Sequence, residues 1–135
     1  MPSASNPICL LDDEPSVLKA VGRLLASEGL PTERFSDPVR FLEHASHHPV
    51  RLAVIDFRMP GMTALEVLDE LRVVSPEARV IVMTGENDPG HRTAALARGA
   101  AAFFLKPFDD EALLTAVHAA MAALGRPDES RTKGQ

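Results

Sequence analysis

The chain has 135 residues, 45% of them hydrophobic and 24% charged, with eleven prolines and a formal net charge of −5. That length suits one ordinary domain with its own core, and the composition is that of a folded globular chain, not a disordered one. The acidic balance argues against general nucleic-acid or membrane-surface binding by this domain, which needs a surplus of Lys and Arg.

The first apolar run, ICLL at 8–11, predicts a buried strand, and its Cys9, the only cysteine, reads as a small hydrophobe suited to a reducing compartment. Three acids follow at once: Asp12, Asp13 and Glu14. Val17, Leu18, Val21, Leu24 and Leu25 then share one helical face, with Asp13 in cap position ahead of Pro15. PTERF, 31–35, has the mixed polarity of an edge strand, and SDP at 36–38 puts acceptors before a first-turn proline. LAVI at 52–55 predicts a second buried strand. TALE, Thr63 to Glu66, matches a capping box and opens a helix whose inward face takes Leu65, Leu68 and either Val67 or Leu71.

RVIVM at 79–83 is the next strand. The segment 88–98 predicts a poorer, mobile helix, rich in Ala, with Pro89 and Gly90 at its start and Leu96 as its one large apolar anchor. AFFL at 102–105 is the last strand, with Phe104 directed to the core opposite Phe103. The last helix opens on Asp109, Asp110 and Glu111 and is expected to carry Leu113, Val117, Met121 and Leu124 inward. Residues 1–124 are thus expected to form one domain, and 125–135 a flexible tail or linker stub. No apolar stretch reaches the roughly 18 residues of a membrane helix, and MPSASNP lacks the parts of a signal peptide, so the expected location is the cytoplasm.

Five strands alternating with five helices predict an α/β fold, a doubly wound five-stranded parallel sheet of flavodoxin-like order 2-1-3-4-5. Ligands in such sheets sit beyond the carboxyl ends of the strands. Asp12 and Asp13 end the first strand, Asp56 the third and Thr84 the fourth, and Lys106 follows the last. A role as helix caps does not account for the set, because Asp56 opens no helix. Three carboxylates at one edge repel one another, and a hard cation with oxygen ligands, Mg2+ above all, relieves that repulsion. Mg2+ commonly shares its shell with a phosphate, which gives Lys106 and Thr84 a role as partners of phosphoryl oxygens.

The motifs LLDD, VIDFRMPGM, VIVMTGE and FFLKPF, in that order, resemble the receiver domain of bacterial two-component response regulators over about residues 7–124. The resemblance implies that Asp56 is the phosphoacceptor. It makes Asp12 and Asp13 metal-binding acids, with the Arg58 backbone carbonyl as a further Mg2+ ligand. Thr84 becomes the switch hydroxyl, Lys106 the phosphate-pairing lysine and Phe103 the switch aromatic, with a cis peptide between Lys106 and Pro107. The implied chemistry is attack of Asp56 on a phosphohistidine of a sensor histidine kinase or phosphotransfer protein, giving an acyl phosphate. Such a domain is a signalling switch whose only reactions are its own phosphorylation and dephosphorylation. Its output is expected through helix 88–98, the last strand and the last helix, as a homodimer or docking face, with any DNA-binding output domain outside these 135 residues.

Two departures from the family pattern are Thr63-Ala64, where Asp-Gly is common, and Gly85, which leaves room beside Thr84. Arg58 and Glu86 each lie two residues past a site residue and are expected to pair over the mouth as a gate against water. Two other classes stay open at this point. One is a Mg-dependent aspartyl phosphohydrolase, which usually wants a DxD pair and a cap. The other is a receiver-like interaction module that is never phosphorylated. His44, His47 and His48 read as a solvated helix end, while His91 and His118 are isolated with no partner for a hydrolytic triad.

Overall fold

The computed structural model of the protein describes residues 6–124, so the tail expected over 125–135 lies outside the described residues. β1 (Ile8–Leu11) leads to α1 (Pro15–Ala26), and β2 (Thr32–Phe35) to α2 (Pro38–His47). β3 (Leu52–Asp56) runs through a small hairpin, β4 (Arg58–Met59) and β5 (Met62–Thr63), into α3 (Ala64–Val74). β6 (Arg79–Thr84), α4 (Pro89–Ala97), β7 (Ala102–Leu105) and α5 (Asp110–Leu124) follow. Five strands form one parallel sheet in the order β2-β1-β3-β6-β7, and the hairpin is a separate antiparallel pair. With the hairpin set aside, this is the predicted 2-1-3-4-5 order, and PTERF supplies its edge strand.

The alternation of side chains along each strand divides the core into two layers. Cys9, Leu11, Ala53, Ile55, Val80 and Val82 pack with Phe41 of α2, Val67 and Leu71 of α3 and Ala95 of α4. Ile8, Leu10, Leu52, Val54, Ile81 and Met83 pack with Leu18, Val21 and Leu25 of α1 and Leu113, Val117 and Ala120 of α5. Complete burial of a side chain such as Phe41 or Leu25 contributes about 1.5–3 kcal/mol each. Phe103 and Phe104 fall on opposite layers, Phe103 beside α2–α4 and Phe104 beside α1 and α5.

The helix starts follow the sequence closely. Asp37 accepts a hydrogen bond from the Val39 N–H at 3.1 Å ahead of Pro38. Thr63 and Glu66 form the full capping box, with the Thr63 N–H donating to Glu66 Oε1 at 2.9 Å and the Glu66 N–H to Thr63 Oγ1 at 3.4 Å. α1 differs from expectation: Glu14, not Asp13, is its cap residue, and no side chain caps it. Proline at the first helical position removes one donor there, and the Glu14 N–H donates instead to Asp12 Oδ1 at 2.9 Å.

Three inward positions also differ. Met121 is 36% exposed and Ala120 takes the buried place on α5; the Leu124 side chain lies outside the described residues. On α4, Leu96 is 39% exposed and Ala95 is the buried anchor. On α3 both Val67 and Leu71 are buried, while Leu65 is half-buried. The hairpin was not predicted. Its turn is Pro60-Gly61, with Gly61 at φ +88°, a pairing of fixed proline φ with a positive φ that suits a type II turn.

Candidate functional site

The sheet order reverses at β1 and β3, and the acids stand at the carboxyl ends of those two strands. Asp56, the last residue of β3, is 7% exposed, and Asp12, just after β1, is 1% exposed. Asp13 beside it is exposed. One carboxylate oxygen from each of Asp12, Asp13 and Asp56 lies within 4.8 Å of the others. This acidic pocket offers three hard oxygen donors to a metal ion, the donor set that Mg2+ prefers.

Lys106 reaches the same point from the end of β7. Its Nζ donates to Asp12 Oδ2 at 2.9 Å, lies 3.1 Å from Asp56 Oδ1 and stands 3.5 Å from Glu14 Oε1. The backbone holds the lysine there: its N–H donates to Thr84 O at 2.7 Å, and the Lys106–Pro107 peptide is cis, as the resemblance implied. Burial works against the ammonium charge, but the hydrogen bonds to Asp12 and Asp56 outweigh it, and the Lys106 pKa lies above its ordinary value. Asp56 moves the other way. Burial, and then the neighbouring Asp12 charge, push its pKa up to about 6 against the pull of Lys106.

Thr84 ends β6, the strand between β3 and β7. It is 1% exposed, and its Oγ1 accepts from the Glu86 N–H at 3.1 Å. A Cβ at Gly85 would meet nothing within 4 Å, so the space beside Thr84 is open as expected. Phe103 is half-buried one strand over, where β7 pairs with β6. The Asp12-Asp13 pair, Asp56, Thr84 and Lys106, from four separate stretches of the sequence, thus meet at one edge of the sheet.

Arg58 and Glu86, each two residues past a site residue, pair with one another as anticipated. Arg58 Nε donates to Glu86 Oε2 at 2.9 Å and a second guanidinium nitrogen donates to Oε1 at 3.0 Å. The hydrogen bonds raise the Arg58 pKa and lower that of Glu86. His91, which the sequence left isolated, belongs to the same neighbourhood. Its ring stacks on Phe57, next to Asp56, at 4.1 Å and 14°. The signal that could have found it is its position four residues before the buried Ala95, on the inward face of α4. The other histidines lie elsewhere: His44 is packed between Phe35 and His48, and His118 pairs with Glu28 at 3.2 Å.

Among the described residues, no helix is long and apolar enough to cross a membrane. The family model for the response regulator receiver domain matches residues 8–118. The transcriptional regulatory protein FixJ of Azorhizobium caulinodans is 36% identical over 132 residues, which cover 96% of this chain and 63% of FixJ. The response regulator protein TodT of Pseudomonas putida is 35% identical over 121 residues, 90% of this chain and 53% of TodT. The chain therefore spans between about half and two thirds of these relatives. A CheY-like response regulator receiver domain protein from Methanospirillum hungatei superposes with a TM-score of 0.84 at 23% identity, over 90% of this chain and 98% of that one, and so shares its fold. The order of the four motifs, the sheet topology and the family match agree, and this chain belongs to the response regulator receiver domain family, the receivers of two-component signalling.

Proposed function

We propose that Asp56 is the phosphoacceptor of this receiver and that its partner is a sensor histidine kinase or a phosphotransfer protein. The observation that carries the reading is Lys106, whose ammonium joins Asp12 and Asp56 inside a pocket where three carboxylates converge. A lysine so placed neutralises charge on an incoming phosphoryl group, and Thr84 offers a hydroxyl beside it. The Asp56 carboxylate attacks phosphorus; the bond from phosphorus to the histidine nitrogen breaks, and that nitrogen leaves with its electron pair.

Asp12, Asp13, Asp56 and the Arg58 backbone carbonyl are the residues that would hold Mg2+. The fit rests on the donor set and on the raised pKa of Asp56, which a cation would lower. When bound, the ion supplies charge neutralisation for the phosphoryl oxygens. In the phosphorylated domain Thr84 turns toward the new group, Phe103 moves inward, and the surface of α4, β7 and α5 changes. Leu96, Leu105 and Met121, one from each of these elements, are partly exposed there and supply the apolar area for a homodimer or a docking partner. FixJ is described as a transcriptional regulatory protein; a DNA-binding output acting downstream of this receiver fits that likeness. The domain works as a switch in the cytoplasm and turns over nothing beyond its own phosphoryl group.

The test is incubation with a small acyl phosphate, with Mg2+ or with a chelator, read by intact mass. One phosphoryl group gained by wild type with Mg2+, and none by Asp56→Asn, is the expected result. Steady phosphate release without a labelled protein would point to a phosphohydrolase, and no reaction to an interaction module; either overturns the reading.

A further inference from the structure

His91 stands on the first turn of α4 with its ring flat on Phe57, at 4.1 Å and 14°. Phe57 is a fixed floor: it is buried, its N–H donates to Met83 O at 2.6 Å, and its carbonyl accepts from the Ala64 N–H at 2.7 Å. The two ring nitrogens face two acids. Nε2 is 3.4 Å from Asp88 Oδ2, and Nδ1 is 3.7 Å from Glu86 Oε1. Nδ1 is out of contact with water and has no hydrogen-bond partner, the single side-chain nitrogen or oxygen of that kind among the described residues. A buried polar atom left unpaired in a native fold calls for an explanation. At 3.7 Å it stands beyond hydrogen-bond reach of Glu86 Oε1, which accepts from Arg58 at 3.0 Å.

We propose that His91 is a positioning residue for the acceptor loop, holding Phe57 beneath its ring and competing with Arg58 for the Glu86 carboxylate. The inference rests on Asp56 as the acceptor, since it is the gate over that residue that His91 adjusts. A neutral imidazole has one N–H. With that hydrogen on Nε2, toward Asp88, Nδ1 turns a lone pair toward Glu86 Oε1 and the carboxylate stays with Arg58. A proton on Nδ1 reverses the contact. Oε1 is drawn toward the imidazolium and its bond from Arg58 lengthens, while the bond from Arg58 Nε to Oε2 remains, so the guanidinium is freer to swing away.

The charged groups around the ring fit this exchange. Glu86 and Asp88 face it from the segment between β6 and α4, Arg58 of β4 reaches it through Glu86, and the loop after β3 contributes only the apolar Phe57. Arg92, next on α4, is exposed, and the charged pairing of α3 with α4 lies at the far end, between Asp69 and Arg98.

The experiment follows the Arg58 Nε–H signal and the His91 ring by NMR over about pH 5 to 8, the range in which imidazoles change charge. It compares wild type with His91→Phe, which keeps a flat ring on Phe57, and His91→Gln, which keeps a polar group without a titratable charge. Burial pushes the Asp56 pKa up to about 6, inside this range, so only the difference between the chains reports on His91. In wild type the Arg58 signal is expected to move in step with the His91 ring, and that part of the movement is expected to vanish in both variants. The half-life of phosphorylated Asp56 should also shorten on acidification at least about twofold more in wild type than in His91→Phe, because only there does the proton release Arg58. An Arg58 signal that stays still while the His91 ring titrates, or that moves equally in all three chains, overturns the inference. Failure of Asp56 to label at all would instead remove the acceptor reading, and the NMR comparison would still decide the role of His91.

Discussion

Asp56 titrates at about 6 even though Lys106 Nζ lies 3.1 Å from its Oδ1, because burial and the charge of Asp12 together outweigh the lysine. A carboxyl whose native pKa is above its ordinary 3.8 holds more protons folded than unfolded. Its contribution to stability is present below pH 3.8 and is lost as pH rises to about 6. The loss is on the order of 3 kcal/mol. Asp56→Asn removes the charge and is expected to be more stable than wild type by about 2 kcal/mol at pH 7, with the gap closing near pH 4. Urea unfolding at the two pH values measures this. An equal difference at both would contradict the assignment.

Millimolar Mg2+ should raise the melting temperature of wild type, since a ligand bound only by the native state stabilises it by mass action. Asp56→Asn has one fewer of the converging carboxylates and should respond much less. Identical shifts in the two proteins would mean that the ion binds elsewhere.

The Arg58–Glu86 pair predicts a long-lived phosphoryl group. Both side chains are about half exposed, so their pairing adds little to stability and its effect is kinetic. Arg58→Ala and Glu86→Ala should each shorten the phosphoryl half-life severalfold, and the double variant should be little worse than either, as coupled residues behave. Unchanged decay in both single variants would show that the pair does not obstruct water.

Gly22 sits inside α1 with the Arg34 guanidinium lying across it: a Cβ there would be 2.7 Å from an Arg34 terminal nitrogen. That nitrogen is the far end of an exposed, flexible side chain that can swing aside. A glycine inside a helix costs about 0.5–1 kcal/mol relative to alanine, so Gly22→Ala should stabilise the domain by about 0.5 kcal/mol. Chemical denaturation reads the change, and a clear loss of stability would show that Arg34 is held in place.

Much of the site was legible because each of its residues ends or follows an apolar run. Asp12, Asp56 and Thr84 close buried strands, and in a parallel sheet those ends share an edge whatever the loops do. The β4–β5 hairpin was not legible, since strands of two residues have no periodicity and only Pro60-Gly61 marked the turn. On α5 and α4, alanine occupies the inward face, Ala120 in place of Met121 and Ala95 in place of Leu96. Choosing the larger apolar residue picks the wrong stripe when a helix packs close to the sheet. His91 escaped because its contacts join it to Phe57, 34 positions away, and no motif connects the two.

The central claim, that Asp56 alone takes the phosphoryl group, is tested most directly by trapping. After treatment with an acyl phosphate and Mg2+, one hydride from borohydride adds to the aspartyl phosphate carbonyl and expels phosphate to leave the aldehyde, and a second hydride with a proton from water gives homoserine at the acceptor position. Peptide sequencing by mass spectrometry then locates it. Homoserine at position 56 and at no other acid is the predicted result; homoserine at position 12 or 13, or at none of the three, would contradict the account.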